Sequence, residues 1–418
     1  MNNSSSGPTR SVRRCAAALV ALMFAGGVAA PVAQADARHA VRADRGDRGD
    51  RGDLLKVTPV ADLSRAEVVA FLAKGKVDTA TVRYGVTAYR LTYRTVGTDG
   101  GPTTATGLFV LPKIPGKRAL GLVSDTHGTM VHRDYAPSVG EDFGRLSPYL
   151  YAASGNAVAA PDYLGLGKGP GVHPYMDTRS AVTASQDMLR ASRAAAGRAG
   201  RTLTGDLYLT GFSQGGQVAM ALARELSGRG GKSLPFRVRA VAPVSGPYDL
   251  SGEEIPALFD GRVNDTSGIF YTAYFLVAQN RLHPLYKNPA EAFRAPYADR
   301  VERLFDGRHG EEDVFAALPA SVKELLTPGF YERMRHPTGG LKEALEANDG
   351  VCDWKPEVPV RLYAARGDTD VPIGNARSCA ADLASHGVRA PVVDQGGVSH
   401  MESAVKSAPK IARWFAAR

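Results

Sequence analysis

The chain has 418 residues, of which 44% are apolar and 22% charged. These proportions are typical of a globular protein and exclude a disordered or collagen-like chain, and the length is ample for a sizeable buried core. The formal net charge is +9, but no run of Lys or Arg exceeds two residues, so a nucleic-acid partner is not predicted.

The first 35 residues have the features of a secretory signal peptide. Three arginines precede an apolar stretch at residues 15–30, and Ala33-Gln34-Ala35 fits an A-x-A cleavage site. The apolar stretch is shorter than the roughly 18 residues that a membrane span needs. We therefore predict secretion with cleavage after Ala35, by the general or the twin-arginine route, and no stable membrane insertion.

Residues 36–53 are predicted to form a flexible linker. Positions 45–53 read RGD three times, and a polar tract of alternating charge without apolar residues does not form a packed core. Adhesion through these RGD repeats is the alternative interpretation.

The cysteines predict one disulfide. Loss of the signal peptide removes Cys15 and leaves Cys352 and Cys379. An even pair in an exported protein is most simply a disulfide, and two buried thiols are the alternative.

The body of the chain alternates strand-like and helix-like segments. Ser64 and Glu67 form a capping-box pattern before an amphipathic helix. Residues 81–96 and 103–111 flank turn-forming residues and predict a hairpin. Six short apolar runs follow, at residues 120–124, 157–160, 207–210, 238–244, 360–364 and 391–393. Such runs are typical of strands buried on both faces, so the sequence predicts an α/β fold with a mostly parallel sheet.

One long interval interrupts this alternation. Residues 251–356 read mostly as helices, and residues 251–355 contain 13 of the chain's 32 aromatic residues. We predict a helical lid here, inserted between two parts of an α/β core at residues 54–250 and 357–418. A second domain unrelated to the active site is the alternative.

A candidate nucleophile lies in the middle of the chain. Residues 211–215 read G-x-S-x-G between a predicted buried strand and a predicted helix. A sharp turn in this context holds its serine in a strained backbone conformation and exposes the hydroxyl at the helix N-terminus. The context, more than the five-residue pattern, predicts Ser213 as the nucleophile.

A serine nucleophile needs a histidine base and an acid that orients the base. His400 follows the last predicted strand, where this fold places the base. The other four histidines after Ser213 lie in the insertion or in a helix-like surface stretch. Three acids remain open: Asp368 and Asp370 after the run at 360–364, and Asp249 after the preceding strand.

An acyl-transfer site also needs hydrogen-bond donors for the developing oxyanion. The backbone amide of Gln214, the residue after the nucleophile, is expected to be one of them. The second is expected from the loop after residues 120–124, which contains His127-Gly128-Thr129.

Together with the Pro-Asp-Tyr-x-Gly-x-Gly stretch at residues 161–167, these motifs resemble the secreted lipase/esterase branch of the α/β-hydrolases, including bacterial feruloyl-esterase-like enzymes with a large lid. The His-Gly dipeptide resembles their oxyanion loop, which implies that the Thr129 amide is the second donor. Residues 359–372 resemble their P-x-x-x-x-x-G-x-x-D-x-x-V-P segment, with Ala365 at the glycine position, which implies Asp368 as the acid.

The resemblance implies hydrolysis of small-molecule or lipid carboxylic esters without a metal or organic cofactor. The sequence contains neither H-E-x-x-H nor C-x-x-C, two common metal-binding patterns. The aromatic-rich insertion suits an apolar or aromatic acyl group such as ferulate. A serine peptidase of the same fold and a non-catalytic RGD adhesion protein are the competing functions, and the oligomeric state is not predicted.

Overall fold

The computed structural model describes residues 51–228 and 234–418. The predicted signal peptide and nearly all of the predicted linker lie outside these residues. Within the described part, one sheet contains the strands β1 Leu54–Leu63, β2 Val86–Val96, β3 Pro102–Pro112, β4 Leu120–Thr126, β5 Ala157–Pro161, β6 Leu203–Phe212, β7 Arg237–Val244, β8 Leu362–Ala364 and β9 Val392–Asp394.

The helices of the described part surround this sheet. In chain order they are α1 Arg65–Lys74, α2 Leu146–Ala153, α3 Thr178–Arg198, α4 Gln214–Ser227, α5 Ile255–Asp260, α6 Asp265–Asn280, α7 Pro289–Ala292, α8 Val301–Leu304, α9 Glu311–Ala317, α10 Val322–Leu325, α11 Pro328–Arg335, α12 Gly339–Glu346, α13 Gly374–Ser385 and α14 His400–Ala416. The predicted capping box is present at the start of α1, where Ser64 and Glu67 cap each other's backbone amides.

The strand order is β1-β2-β3-β5-β4-β6-β7-β8-β9. The pairs β1–β2, β2–β3 and β3–β5 are antiparallel, and the pairs from β5–β4 to β8–β9 are parallel. The predicted α/β class with a mostly parallel sheet is confirmed. Because the carboxyl ends of parallel strands meet at one edge, the loops after β4, β6, β7, β8 and β9 gather there.

The core lies on both faces of the sheet. Buried residues of α3, α4 and α13 form one apolar cluster with the strands, and buried residues of α1, α2 and α14 form another on the opposite face. Burial on both faces explains why the central strands read as continuous apolar runs.

The sequence-based boundaries differ from the structure at the start of the domain. Strand β1 was not predicted, because it is an edge strand with a largely half-exposed surface and no regular apolar alternation. The hairpin strand begins at Val86, and residues 81–85 precede it as turn and irregular backbone.

The predicted linker, residues 36–53, extends too far at its C-terminal end, where residues 51–53 already contact the folded domain. Arg51 donates from Nε to the Asp187 carboxylate at 3.2 Å, and the Gly52 amide donates to the Arg94 carbonyl. The Asp187 side chain is fully buried and also pairs with Arg190. A buried carboxylate requires such cationic partners, which is why residues 51–53 are bound to the domain.

The interval between β7 and β8 contains α5 to α12 and has its own apolar cluster. Val131, Tyr175 and Met176 of the sheet-bearing part belong to this cluster, so the insertion packs on the core. The predicted Cys352–Cys379 disulfide is confirmed, and it joins the segment after α12 to α13. Among the helices of residues 51–228 and 234–418, none is both long and apolar enough to cross a membrane.

Candidate active site

Ser213 lies at a sharp turn between β6 and α4. Its φ of 57° and ψ of −124° are in a region that non-glycine residues rarely adopt, and such strain clusters at functional sites. A Cβ atom on Gly211 would lie 2.1 Å from Thr126 Oγ1, and one on Gly215 would lie 2.0 Å from the Thr126 carbonyl oxygen. Both glycines of G-x-S-x-G are therefore required by the packing of this turn against β4.

The two predicted oxyanion donors flank the serine. Gln214 is the first residue of α4, so its amide has no intrahelical partner. Gly128, before Thr129, packs so closely that a Cβ there would be 3.2 Å from Ser213 Cβ. Thr129 Oγ1 donates to the Tyr175 hydroxyl at 3.1 Å. The loop after β4 is thus held against the nucleophile.

His400 and Asp368 form a buried pair. His400 is the first residue of α14, and its Nδ1 lies 2.7 Å from Asp368 Oδ2. The other carboxylate oxygen, Oδ1, accepts the amides of Asp370 and Val371, each at 3.0 Å. The carboxylate is therefore fixed by its own loop and faces His400 Nδ1, so Nε2 is the ring nitrogen that does not contact the acid.

The imidazole of His400 lies next to the nucleophile turn. Its ring centroid is 4.5 Å from that of Phe212, the residue before Ser213. Both Ser213 and His400 are 4% exposed. Within the described residues, His400 Nε2 is buried and has no hydrogen-bond partner. A buried nitrogen of this kind is available to a group that enters the site.

The other two candidate acids have different partners. Asp370 Oδ1 accepts from Asn264 Nδ2 at 2.7 Å and from Ser267 Oγ at 2.9 Å. It therefore fixes the N-terminus of α6 to the loop that carries Asp368. Asp249 accepts from the Gly252 amide and from Ser378 Oγ, so it stabilises the turn after β7. Among the described residues, neither carboxylate is hydrogen-bonded to a histidine, whereas Asp368 lies 2.7 Å from His400 Nδ1.

His127 contacts two nearby carbonyl oxygens and helps to fix the loop after β4. Its Nδ1 lies 2.6 Å from the Gly128 carbonyl oxygen, and its Nε2 lies 3.3 Å from that of Asp162. Burial lowers the pKa of His127, and the nearby carbonyls and Asp162 oppose that effect. Its bonds are local, which indicates a structural role.

A cavity of about 100 Å³ opens beside Ser213. Thr129, Gln214 and Asp370 line it near the nucleophile, and most of the remaining wall comes from the insertion. This wall includes Leu250, Glu254, Ile255, Leu258, Val263, Tyr271, Phe275, Met334 and Leu345. Tyr175 and Glu254 were not predicted as site residues, because neither belongs to a motif and both join the cavity beside Ser213 only through tertiary packing.

The structure resembles solved esterases and lipases. The rice cell wall degrading esterase LipA from Xanthomonas oryzae is 30% identical over 86% of this chain and 95% of its own, with a TM-score of 0.73. A provisionally named hydrolase from Legionella pneumophila is 27% identical over 87% and 98%, with a TM-score of 0.79. Candida antarctica lipase A is 14% identical over 84% and 78%, with a TM-score of 0.59, and shows the fold alone.

No protein-family model and no curated protein matches the sequence. The likeness to the Xanthomonas esterase nevertheless covers 86% of this chain at 30% identity. The chain belongs to the esterase and lipase family of the α/β-hydrolases.

Proposed function

We propose that this protein is a secreted carboxylic ester hydrolase that acts by acyl transfer through Ser213, His400 and Asp368. The observation that carries the proposal is the buried 2.7 Å hydrogen bond between His400 and Asp368, beside a serine held in the strained turn. A serine alone is a poor nucleophile at neutral pH, and a carboxylate-oriented imidazole is what activates it.

The proposed reaction has two steps. His400 Nε2 takes the Ser213 proton while Oγ attacks the ester carbonyl, and the Gln214 and Thr129 amides stabilise the oxyanion. His400 then protonates the alcohol as it leaves. In the second step His400 activates a water molecule that releases the acid. Asp368 keeps the imidazole in the required tautomer and stabilises its cation.

The cavity supports an apolar or aromatic acyl group. The acyl group stays attached to Ser213 through both steps, whereas the alcohol leaves after the first. The cavity that extends from Ser213 into the insertion therefore suits the acyl group. Its wall is mostly aliphatic and aromatic, and such a wall removes water from the bound chain. We propose on this basis that the insertion acts as a lid over the site.

The test is turnover of a p-nitrophenyl ester series by the purified protein. Ser213→Ala is expected to lower kcat by about 10⁴-fold or more. Ser385→Ala, which changes an exposed serine on α13, is the matched control and is expected to retain activity. Equal turnover by parent and Ser213→Ala would overturn the proposed nucleophile.

The acid is tested separately. Asp368→Asn is expected to lower kcat by about 10⁴-fold, because the amide does not hold the productive tautomer. Asp249→Asn changes an acid whose carboxylate accepts from the Gly252 amide and Ser378 Oγ and not from a histidine among the described residues, and is expected to retain most of the activity. A large loss in Asp249→Asn with little loss in Asp368→Asn would contradict the assignment.

Two further assays separate the competing functions. Turnover of amino-acid anilides without ester turnover would favour a peptidase. Deletion of residues 45–50 removes two RGD repeats but spares Arg51, whose contact with Asp187 belongs to the folded domain. Ester turnover is expected to survive this deletion. Loss of cell adhesion by the deletion, with no ester turnover in any form of the protein, would favour the adhesion function.

A further inference from the structure

Glu254 is an acidic side chain in the wall of a cavity that is otherwise mostly apolar. It ends a single π-helical turn, Leu250–Glu254, that connects β7 to α5. Asn375 on α13 donates from Nδ2 to Glu254 Oε1 at 2.6 Å, and Asn375 is itself 1% exposed. This buried amide holds the carboxyl group in the cavity wall.

The surroundings of Glu254 disfavour its charged form. Burial raises its pKa from 4.5 to about 8, the negative charge of Asp368 adds to the rise, and the Asn375 hydrogen bond opposes it. The other charged or titratable groups in range are Glu253, Arg262, Tyr175 and Tyr271. At neutral pH the side chain is therefore a carboxylic acid, and one of its oxygens is a hydrogen-bond donor.

The hydrogen-bond donor of Glu254 affects which acyl chains the cavity binds well. Leu250, Ile255, Leu258, Val263 and Phe275 offer no acceptor side chain to it. The cavity also has polar lining residues, such as Tyr271, Thr272 and Asp370, but within the described residues none of them is hydrogen-bonded to the Glu254 carboxyl group. A plain alkyl chain that displaces water from Glu254 leaves the donor unpaired, and an unpaired buried polar group disfavours binding. Among the described residues that line the cavity, none is Lys or Arg, so a negatively charged substrate group finds no counter-ion.

We propose that Glu254 is a specificity-determining residue that donates a hydrogen bond to a hydroxyl or carbonyl oxygen on the acyl chain of the substrate. The preferred substrates are then neutral esters whose acyl chain bears such an oxygen, and esters with a carboxylate on the acyl chain are disfavoured. This inference rests on the proposed ester hydrolysis at Ser213, and it adds the feature of the acyl group that is recognised.

The experiment measures turnover of matched substrates by the purified protein as it is secreted. The probes are p-nitrophenyl hexanoate and its counterparts with a ketone at the fourth or fifth carbon, which supply an acceptor and no nucleophile. The readout is the ratio of kcat/KM for each oxo ester to that for hexanoate. We expect at least one oxo ester to be preferred, and Glu254→Leu to lower its ratio about 10-fold. Glu254→Gln keeps a donor and is expected to keep most of the ratio.

The pH dependence of the ratio distinguishes hydrogen bonding from a merely structural role. From about pH 6.5 to about pH 9 the parent ratio is expected to fall as Glu254 loses its proton, whereas the Glu254→Gln ratio stays constant. This comparison does not require that Glu254→Leu folds. Glu357→Gln, which changes an exposed carboxylate outside the cavity wall, is the matched control and should follow the parent.

Two results with the oxo esters would overturn the inference. One is an equal ratio in the parent and Glu254→Leu for every oxo ester, and the other is a parent ratio that does not change with pH. Failure of the proposed function is a distinct outcome, since it would appear as no Ser213-dependent turnover of plain hexanoate. A preference for an ammonium-bearing acyl chain over the oxo esters would also contradict the inference.

Discussion

Asp125 gives a stability prediction that follows directly from its surroundings. It lies on β4, four positions before Thr129, and is 6% exposed. Ser147 hydrogen-bonds to its carboxyl group, but within the described residues its buried Oδ2 has no partner. Burial raises the pKa of Asp125 from 3.8 to about 7. The native state therefore holds this proton more tightly than the unfolded state does.

The sign and size of the effect follow from this difference. The stabilisation from the proton is complete below about pH 4 and is lost as the pH rises to about 7. Each pH unit of the rise in pKa corresponds to about 1.36 kcal/mol, so the full loss is about 4 kcal/mol. About 2.7 kcal/mol of it falls between about pH 5 and about pH 8.

Asp125→Asn removes the titration, and the measurement is the free energy of unfolding in urea between about pH 5 and about pH 8. The free energy of unfolding of the variant minus that of the parent is expected to rise by about 2.7 kcal/mol over this range, because only the parent loses stability with pH at this site. The new amide adds an offset that does not depend on pH. Asp299→Asn, at an exposed position, is the control. A variant-minus-parent difference that is constant with pH would refute the reasoning.

Two other changes test the packing around the site. Replacement of Cys352 and Cys379 by Ser opens a link between residues 27 positions apart, and is expected to lower the free energy of unfolding by about 3.5 kcal/mol in denaturant titration. A loss below about 1 kcal/mol would contradict the chain-entropy argument. Gly215→Ala places a Cβ 2.0 Å from a backbone oxygen, so we expect little folded, active protein by circular dichroism and ester assay. Gly197→Ala in α3, where nothing lies within 4 Å, should instead gain up to about 1 kcal/mol, and equal behaviour of the two variants would oppose the steric argument.

Several elements could be read from the sequence because local chemistry specifies them. The capping box at Ser64 and Glu67 fixes the start of α1 through its own backbone amides. The central strands are continuous apolar runs because both faces of the sheet are covered. The sharp turn at Ser213 was predicted because its glycines are required by contacts within the turn and with β4.

Other features depended on residues that are distant in the chain. The edge strand β1 has weak apolar alternation and is defined by its pairing with β2. The end of the linker was mispredicted, because Arg51 is bound by Asp187, 136 positions away. No local pattern in a polar RGD tract indicates such a partner.

The candidate site likewise combines features that have local sequence signatures with features that depend on distant contacts. The sequence determined the residue types of the chemistry and their chain order, because a strained turn and a loop before a helix have local signatures. The contacts that support the proposal of Asp368 over Asp370 and Asp249 come only from the tertiary structure, since all three follow strands and differ in what they contact. The tertiary structure also brought Glu254 into the cavity, because the position and protonation of a partly buried acid depend on neighbours such as Asn375 and Asp368 that are more than 100 positions away.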